Sequence, residues 1–548
     1  MSLSPGRAIS YLFDGRYGPR DRQIPRWIFL RCLGLIYFSA FYSWFFQVRG
    51  LIGPDGILPA AQYLNAVAHS LGPLRFWLAP TLLWFSASNG MLLAITAIGL
   101  LFALLAICDV WPRITFFVCF VCYLSLIAAA GDFSSYQSDG MLLEAGFLTL
   151  FFAPSGFLPG WQATPPPRFA LWLLLWEWFR IYFESGVVKL ASGDPQWRHL
   201  TAMDQYYQNG PLPTWVGWYV QHLPHWFQAA TVVGTLVMEL GLVWMLFLPR
   251  RWRIVCFCIV TPWQIGVILT ANYAFLNYLV LALGFLLLDD RLLLRFVPAR
   301  WKPAAPAVPL DEEEGAVLPP EQGPPSILNA PPPPDRAGLR GHLRAFAVAF
   351  TAVMLLWIAY ATTIPMLAMF WRNLPLPSAP IAALQPFRIA NQYGLFAVMT
   401  PHRYEIEFQG SDDGKTWTPY PFRYKPQDPY KAPGIYAPYQ PRFDWNLWFA
   451  SLGSWTQYSF VPATEVLLLR DDPEVLKLFA GNPFHNSPPH QVRAVLWQYW
   501  FTSMKEKRET GRWWRRKFLG TYAPTLAMEP NGRIAFIASP TLPDGAPN

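Results

Sequence analysis

Between Trp176 and Leu190 the chain reads Trp-Glu-Trp-Phe-Arg-Ile-Tyr-Phe-Glu-Ser-Gly-Val-Val-Lys-Leu, placing two acids and two bases inside a run otherwise apolar enough for a membrane. On a helix over about 168–185, Glu177, Arg180 and Glu184 recur at i, i+3 and i+7 and project from one face. A charge facing lipid costs several kcal/mol, roughly 3 to more than 10. That face must therefore look into a bundle interior or a wet cavity. Gly186 is expected to loosen or end the helix, leaving Lys189 at its boundary. Two readings stay open: a structural ion-pair network, or a pocket in which a partly desolvated Lys189 acts as a base or binds an anion.

The 548 residues are 53% hydrophobic and 14% charged, against about 25% charged in an average soluble domain. The composition is that of a polytopic membrane protein with an attached domain. A formal net charge of +8 suits anionic lipid. No folded basic module argues for nucleic acid. The cysteines end at Cys258, so disulfides cannot staple the C-terminal part. Cys119 and Cys122 have redox spacing but sit in an apolar run with no second ligand pair. His222 and His225 flank a proline and lack a carboxylate partner in sequence, so no metal is expected, nor any cofactor. No cleavable signal peptide is read, and nucleotide-binding and hydrolase motifs are absent.

The pattern predicts an α-helical polytopic membrane bundle of about eight to nine spans with a C-terminal β-rich, sandwich-like extramembrane domain. Residues 1–26 are a basic cytoplasmic N-terminus, 27–298 the bundle, 299–342 a proline-rich disordered linker, 343–371 the final span and 372–548 the β-rich domain. With nine crossings the arginine clusters fall inside and the C-terminal domain outside. Glu144 ends the polar segment 131–144, whose apolar continuation to about 154 is short for a crossing, and it and Asp139 are candidates to face Arg180 or Lys189; for Asp139 a helix cap is the competing reading. Tyr404, Ile406 and Phe408 alternate with Arg403, Glu405 and Glu407 ahead of a turn containing Asp412 and Asp413, a hairpin signal in which turn chemistry competes with calcium ligation. The basic run Lys505–Lys517, with two tryptophans, suits lipid headgroups or an acidic partner, against a plain solvated face.

Four stretches carry a family resemblance: Phe46–Pro59, Ser135–Phe147, Phe183–Leu190 and Arg442–Phe449 resemble the lipase maturation factor family over nearly the whole chain. The resemblance implies a membrane-embedded maturation or folding factor for secreted proteins such as lipases, resident in the endoplasmic reticulum in eukaryotic members, with client proteins contacted through 372–548. The proline-rich linker, the cysteine-free C-terminal domain, the absence of an N-x-S/T acceptor and of a sorting signal fit a bacterial inner-membrane member. Glu184–Leu190 also looks like the helix end that carries the basic lysine of vitamin K-dependent γ-carboxylases, although only Gly186, Val187, Lys189 and Leu190 match. The alternative function is an integral-membrane enzyme on a lipid or quinone-like substrate, with Lys189 as base tuned by Glu177, Arg180, Glu184, Asp139 and Glu144. A client-binding residue cannot be assigned from sequence.

Overall fold

Proline and serine punctuate the apolar runs, and four of the helices begin directly after Ser88, Pro167, Pro224 and Pro249. The computed structural model describes residues 5–161, 163–298, 339–371, 374–485 and 487–543. Its principal N-terminal helices are α1 (Gln23–Ile52), α2 (Asn89–Ile107), α3 (Pro112–Ile127), α4 (Gln137–Phe152), α5 (Arg168–Ala191), α6 (His225–Leu240), α7 (Arg250–Thr270), α8 (Leu276–Gly284) and α9 (Leu339–Ala368). Ser88 caps α2, its Oγ accepting the Met91 N–H at 3.3 Å. The triple proline 165–167 precedes α5, because a residue without an N–H is tolerated where a helix starts.

Five of the described helices are long and apolar enough to cross a membrane: Gln23–Ile52, Asn89–Ile107, His225–Phe247, Arg250–Thr270 and Gly341–Ala368. Three further expected spans take a different form. Helices α3 and α4 are 16 residues each, and α8 is a nine-residue helix continued by a single 3-10 turn. The α5 helix has the length, at 24 residues, and is too charged to face lipid. It sits instead among α4, α6, α8 and α9, surrounded by protein. The proline-rich stretch expected as a linker lies almost wholly outside the described residues.

Six strands make one antiparallel sheet in the C-terminal domain: β1 (Arg403–Ser411), β2 (Thr418–Pro419), β3 (Gln491–Phe501), β4 (Trp514–Thr521), β5 (Thr525–Met528) and β6 (Ile534–Ala538). The strand order is β2-β1-β3-β5-β6, with β4 also on β3. β1 and β3 pair from Arg403 opposite Tyr499 to Ser411 opposite Gln491. The expected sandwich is not formed among the described residues. Residues 442–469 supply two helices, α10 (Arg442–Ala450) and α11 (Phe460–Leu469), which pack on β1 and on β3 and β5 where a second sheet would lie. Phe408, Tyr420, Phe422, Phe443 and Phe479 form the core between them. The face of β1 that carries Arg403, Glu405 and Glu407 is also buried: Arg403 pairs with Glu405, and Lys425 reaches Glu405 at 2.8 Å.

Candidate functional site: a charged socket in the bundle

The acids and bases of α5 are fully enclosed, with Glu177, Arg180 and Glu184 at 0% exposure and Lys189 at 2%. Gly186 does not end the helix, which runs on to Ala191. Its role is close approach: a Cβ there would stand 2.8 Å from Leu240 Cδ2 and 2.9 Å from Glu239 Cβ. The missing side chain lets α6 approach, and Glu239 lies within 2.9 Å of Lys189 Nζ. Lys189 therefore sits inside the last turn of a continuous helix, beneath the face of Trp197, 5.2 Å from the ring centroid.

The partner of the charged face is the segment 391–400 of the C-terminal part, which has no regular secondary structure. Buried peptide groups need partners even where no helix or sheet supplies them. Here the bundle's polar side chains do so. Arg180 Nη1 donates to the Asn391 carbonyl at 2.6 Å, and Arg180 Nη2 pairs with Glu144. The second oxygen of Glu144 accepts the Asn391 N–H at 2.9 Å and the Tyr393 hydroxyl at 2.9 Å. Glu184 accepts the Tyr393 N–H at 2.6 Å, Ser185 Oγ the Leu395 N–H at 3.2 Å, and Lys189 Nζ donates to the Leu395 carbonyl at 3.0 Å. Asp194 accepts the Met399 N–H at 2.6 Å, while Trp197 donates to the Phe396 carbonyl at 3.0 Å. Gly140 admits this segment, since a Cβ there would stand 2.9 Å from Asn391 Oδ1.

A second insertion comes from α10. Arg442, 0% exposed, donates to both oxygens of Asp139 at 2.8 and 2.9 Å, to the Phe133 carbonyl at 2.7 Å and to the Tyr123 hydroxyl at 3.0 Å. The bidentate fork is the geometry that guanidinium makes with carboxylate, and Trp44 lies under it at 4.3 Å. Two smaller contacts complete the mounting. Asn272 Oδ1 accepts the N–H groups of Tyr436 and Ala437, and Arg403 donates to carbonyls of the 208–211 loop.

The sequence-predicted residues thus separate into three groups. Glu144, Arg180, Glu184 and Lys189 converge on one segment, and Glu144 faces Arg180 as expected. Asp139 faces neither Arg180 nor Lys189; it lies on the first turn of α4, whose backbone places it against Tyr123 and α10, and Arg442 claims it. Glu177 is buried among them, and neither of its carboxylate oxygens accepts a hydrogen bond from the described residues. His222 and His225 go to different partners, the carbonyls of Trp218 and Thr502 for the first and Asp204 for the second. Cys119 and Cys122 are buried in α3 as free thiols. Asp413 turns back on its own loop, and the N–H groups of Thr416 and Lys415 hold its carboxyl down at about 2. Sequence reasoning missed Asn391, Tyr393, Glu239's bond to Lys189 and the role of Arg442. The one available signal was the polar Asn391-Gln392-Tyr393-Gly394 set directly beyond an apolar stretch.

Comparison with known proteins gives a consistent picture. The lipase maturation factor transmembrane domain profile matches residues 24–295, and the lipase maturation factor C-terminal domain profile matches residues 389–524. Lipase maturation factor 2 of Gallus gallus is 31% identical over 95% of this chain and 84% of its own length. Lipase maturation factor 1 of Mus musculus is 30% identical over 92% and 88%, and lipase maturation factor 2 of Homo sapiens 29% over 92% and 83%. No solved structure matches. The two profiles meet across the socket, the first contributing Glu144, Arg180, Glu184 and Lys189 and the second Asn391, Tyr393 and Arg442: the chain belongs to the lipase maturation factor family.

Proposed function

We propose that this chain is a membrane-embedded maturation factor for exported or secreted proteins such as lipases, with the helical bundle as a fixed mount and the C-terminal domain, residues 372–548, as the client-binding part. The observation that carries the reading is the use of the intramembrane charges. Each charged group of the socket except Glu177 is engaged in holding the 391–400 segment or its neighbours, and Lys189 has three acceptors, Glu239, Ser185 O and Leu395 O. An ammonium with every proton directed at an acceptor is a structural cation rather than a poised base.

The C-terminal domain lies on the extracytoplasmic or lumenal side in this reading, because the arginine-rich turns at 250–253 and 291–295 and the basic N-terminus then stay cytoplasmic. The membrane is that of the endoplasmic reticulum for a eukaryotic host and the inner membrane for a bacterial one. The basic run at 505–517, where Lys507 lies over Trp513 at 4.0 Å, serves as a contact with lipid headgroups.

The test is photo-crosslinking from exposed C-terminal positions such as Phe518 and Phe536 in native membranes, with the captured proteins identified by mass spectrometry. Capture of an exported client, retained in Lys189→Met, is expected. A Lys189→Met protein that folds and captures client yet loses all maturation activity would assign chemistry to Lys189 and overturn the reading.

A further inference from the structure

Next to the socket, on the far side of Lys189, the bundle holds a cavity of about 540 Å³ that the mounting does not use. That volume lies within the ~300–1,000 Å³ of small-molecule sites. Its walls come from α5, α6, α7 and α8, with Tyr206 and Trp197 overhead. The lining is chiefly apolar, and α6 and α7 both belong to the helices able to cross a membrane.

On α7, Ile259, Pro262 and Gly266 fall at i, i+3 and i+7; all three line the cavity and all three are exposed on the outer surface of the bundle. No heavy atom outside its own helix lies within 4 Å of a Cβ built on Gly266. These residues form the rim of a lateral mouth on a helix long and apolar enough to cross a membrane. Two polar groups stand out inside: Tyr182, Gln264 and Asn277 bond to one another, and Lys189 meets Glu239. The pair is mutually neutral: Lys189 Nζ donates to Glu239 Oε1 at 2.9 Å and also lies 2.9 Å from Oε2, which has no further donor among the described residues. A carboxylate oxygen carries two lone pairs, so one with only the misaligned ammonium beside it can still accept from a ligand that brings a donor. A second negative charge beside Glu239 would be repelled.

From this geometry we infer that the cavity is a binding site for a neutral amphiphile with a free hydroxyl, a monoacylglycerol or a long-chain alcohol in chemical class, entering from the bilayer between α6 and α7 with its hydroxyl donating to Glu239 and its chain along Ile259, Trp263 and Val267. The ligand is held and not transformed. It occupies a wall shared with the socket, since Leu395 and Phe396 line it as well.

The experiment uses the full chain in membranes with three diazirine probes of equal chain length: a monoacylglycerol, a fatty acid and a phosphatidylcholine. Labelled residues are mapped by peptide mass spectrometry. The expected result is labelling of α6 and α7 lining residues by the monoacylglycerol at least about tenfold above the other two, equivalent to about 1.4 kcal/mol. Excess unlabelled monoacylglycerol removes it, and Gly266→Trp, which narrows the mouth, reduces it by a similar factor. Glu239→Gln leaves Lys189 as an uncompensated cation and should turn the preference toward the fatty acid. Equal labelling by the three probes, labelling confined to the outer surface, or an unchanged preference in Glu239→Gln would overturn the inference. Where a variant does not fold, competition by unlabelled monoacylglycerol on the wild-type protein decides between the outcomes.

Discussion

Arg442 and Glu177 mark opposite ends of what a buried charge can mean. Arg442 is enclosed with its fork paired to Asp139, so removing one partner leaves a charge with no water and no counter-ion; such breaks cost about 3–5 kcal/mol. Asp139→Asn and Arg442→Lys should each lower the thermal unfolding midpoint of the detergent-solubilised protein strongly, the lysine because a point charge cannot reproduce two parallel bonds. Glu177 has no bond to lose among the described residues. Glu177→Gln is expected to leave the midpoint unchanged or raise it, in contrast with Glu144→Gln, and a drop as large as that of Glu144→Gln would show a missing partner. Asp444 in the C-terminal domain offers a pH test. Burial pushes its carboxyl up to about 6 from 3.8, against the lowering pull of the Lys425 N–H, the Lys425 charge and the Tyr424 N–H. Below pH 4 both folded and unfolded forms are protonated. Between about 4 and 6 the unfolded chain has released the proton and the folded one keeps it, and above 6 the folded state carries a buried carboxylate. This group's contribution therefore falls as pH rises through that window, by about 3 kcal/mol. Asp444→Asn should gain stability relative to wild type at pH 7.5 compared with pH 4.5; an equal difference at both would remove Asp444 as the cause.

At the scale of elements, α5 is a helix whose sequence is intelligible only with its partner in place. The i, i+3, i+7 acids and bases were legible as a face that must avoid lipid, and the apolar runs as helices, because both follow from local spacing. The occupant of that face was not legible. It comes from more than 200 residues later and adopts no repeating structure, so no periodicity announces it. The sandwich expectation failed for a related reason: Arg442–Ala450 reads as a mixed polar and aromatic stretch, and as a helix it carries Arg442 to Asp139 and Trp448 to the Asn209 carbonyl, partners remote in sequence. If the socket is what orders 391–400, loosening one side should be felt there first. In hydrogen-exchange mass spectrometry, Glu184→Ala and Glu144→Ala are expected to speed exchange of the Asn391, Tyr393 and Leu395 amides by about tenfold or more, since one lost bond to a charged group corresponds to about 1.5–3 kcal/mol. Amides of α2, which makes no hydrogen bond to the segment among the described residues, should keep their protection. Uniform loss across the bundle would instead mean that the segment and the helices unfold as one unit.

On the scale of the whole molecule, the bundle and the C-terminal domain are not two bodies joined by a chain. The domain's Asn391, Tyr393, Arg403 and Arg442 complete buried polar groups of the N-terminal helices, and those helices complete the backbone of the domain's first segment. Neither part can bury these groups alone, and an orphaned buried carboxylate or guanidinium costs more than an exposed one gains. Covalent continuity through residues 299–338 is then unnecessary for assembly. A protease site inserted in that proline-rich stretch and cut after purification should leave the N-terminal piece and the α9–C-terminal piece co-eluting in mild detergent, with an unfolding midpoint close to that of the uncut protein. The same cut in a protein carrying Asp139→Asn together with Glu144→Gln should release the pieces, because two of the buried carboxylates that hold the second piece are gone. Separation of the cut wild-type protein would mean that the tether, and not the socket, holds the domain to the membrane bundle. Retention in the cut double variant would place the holding energy in the apolar contacts around the charges. Under the proposed function the mount has a use: a client-binding surface on a fixed domain loses less ordering entropy on capture than one on a free tether.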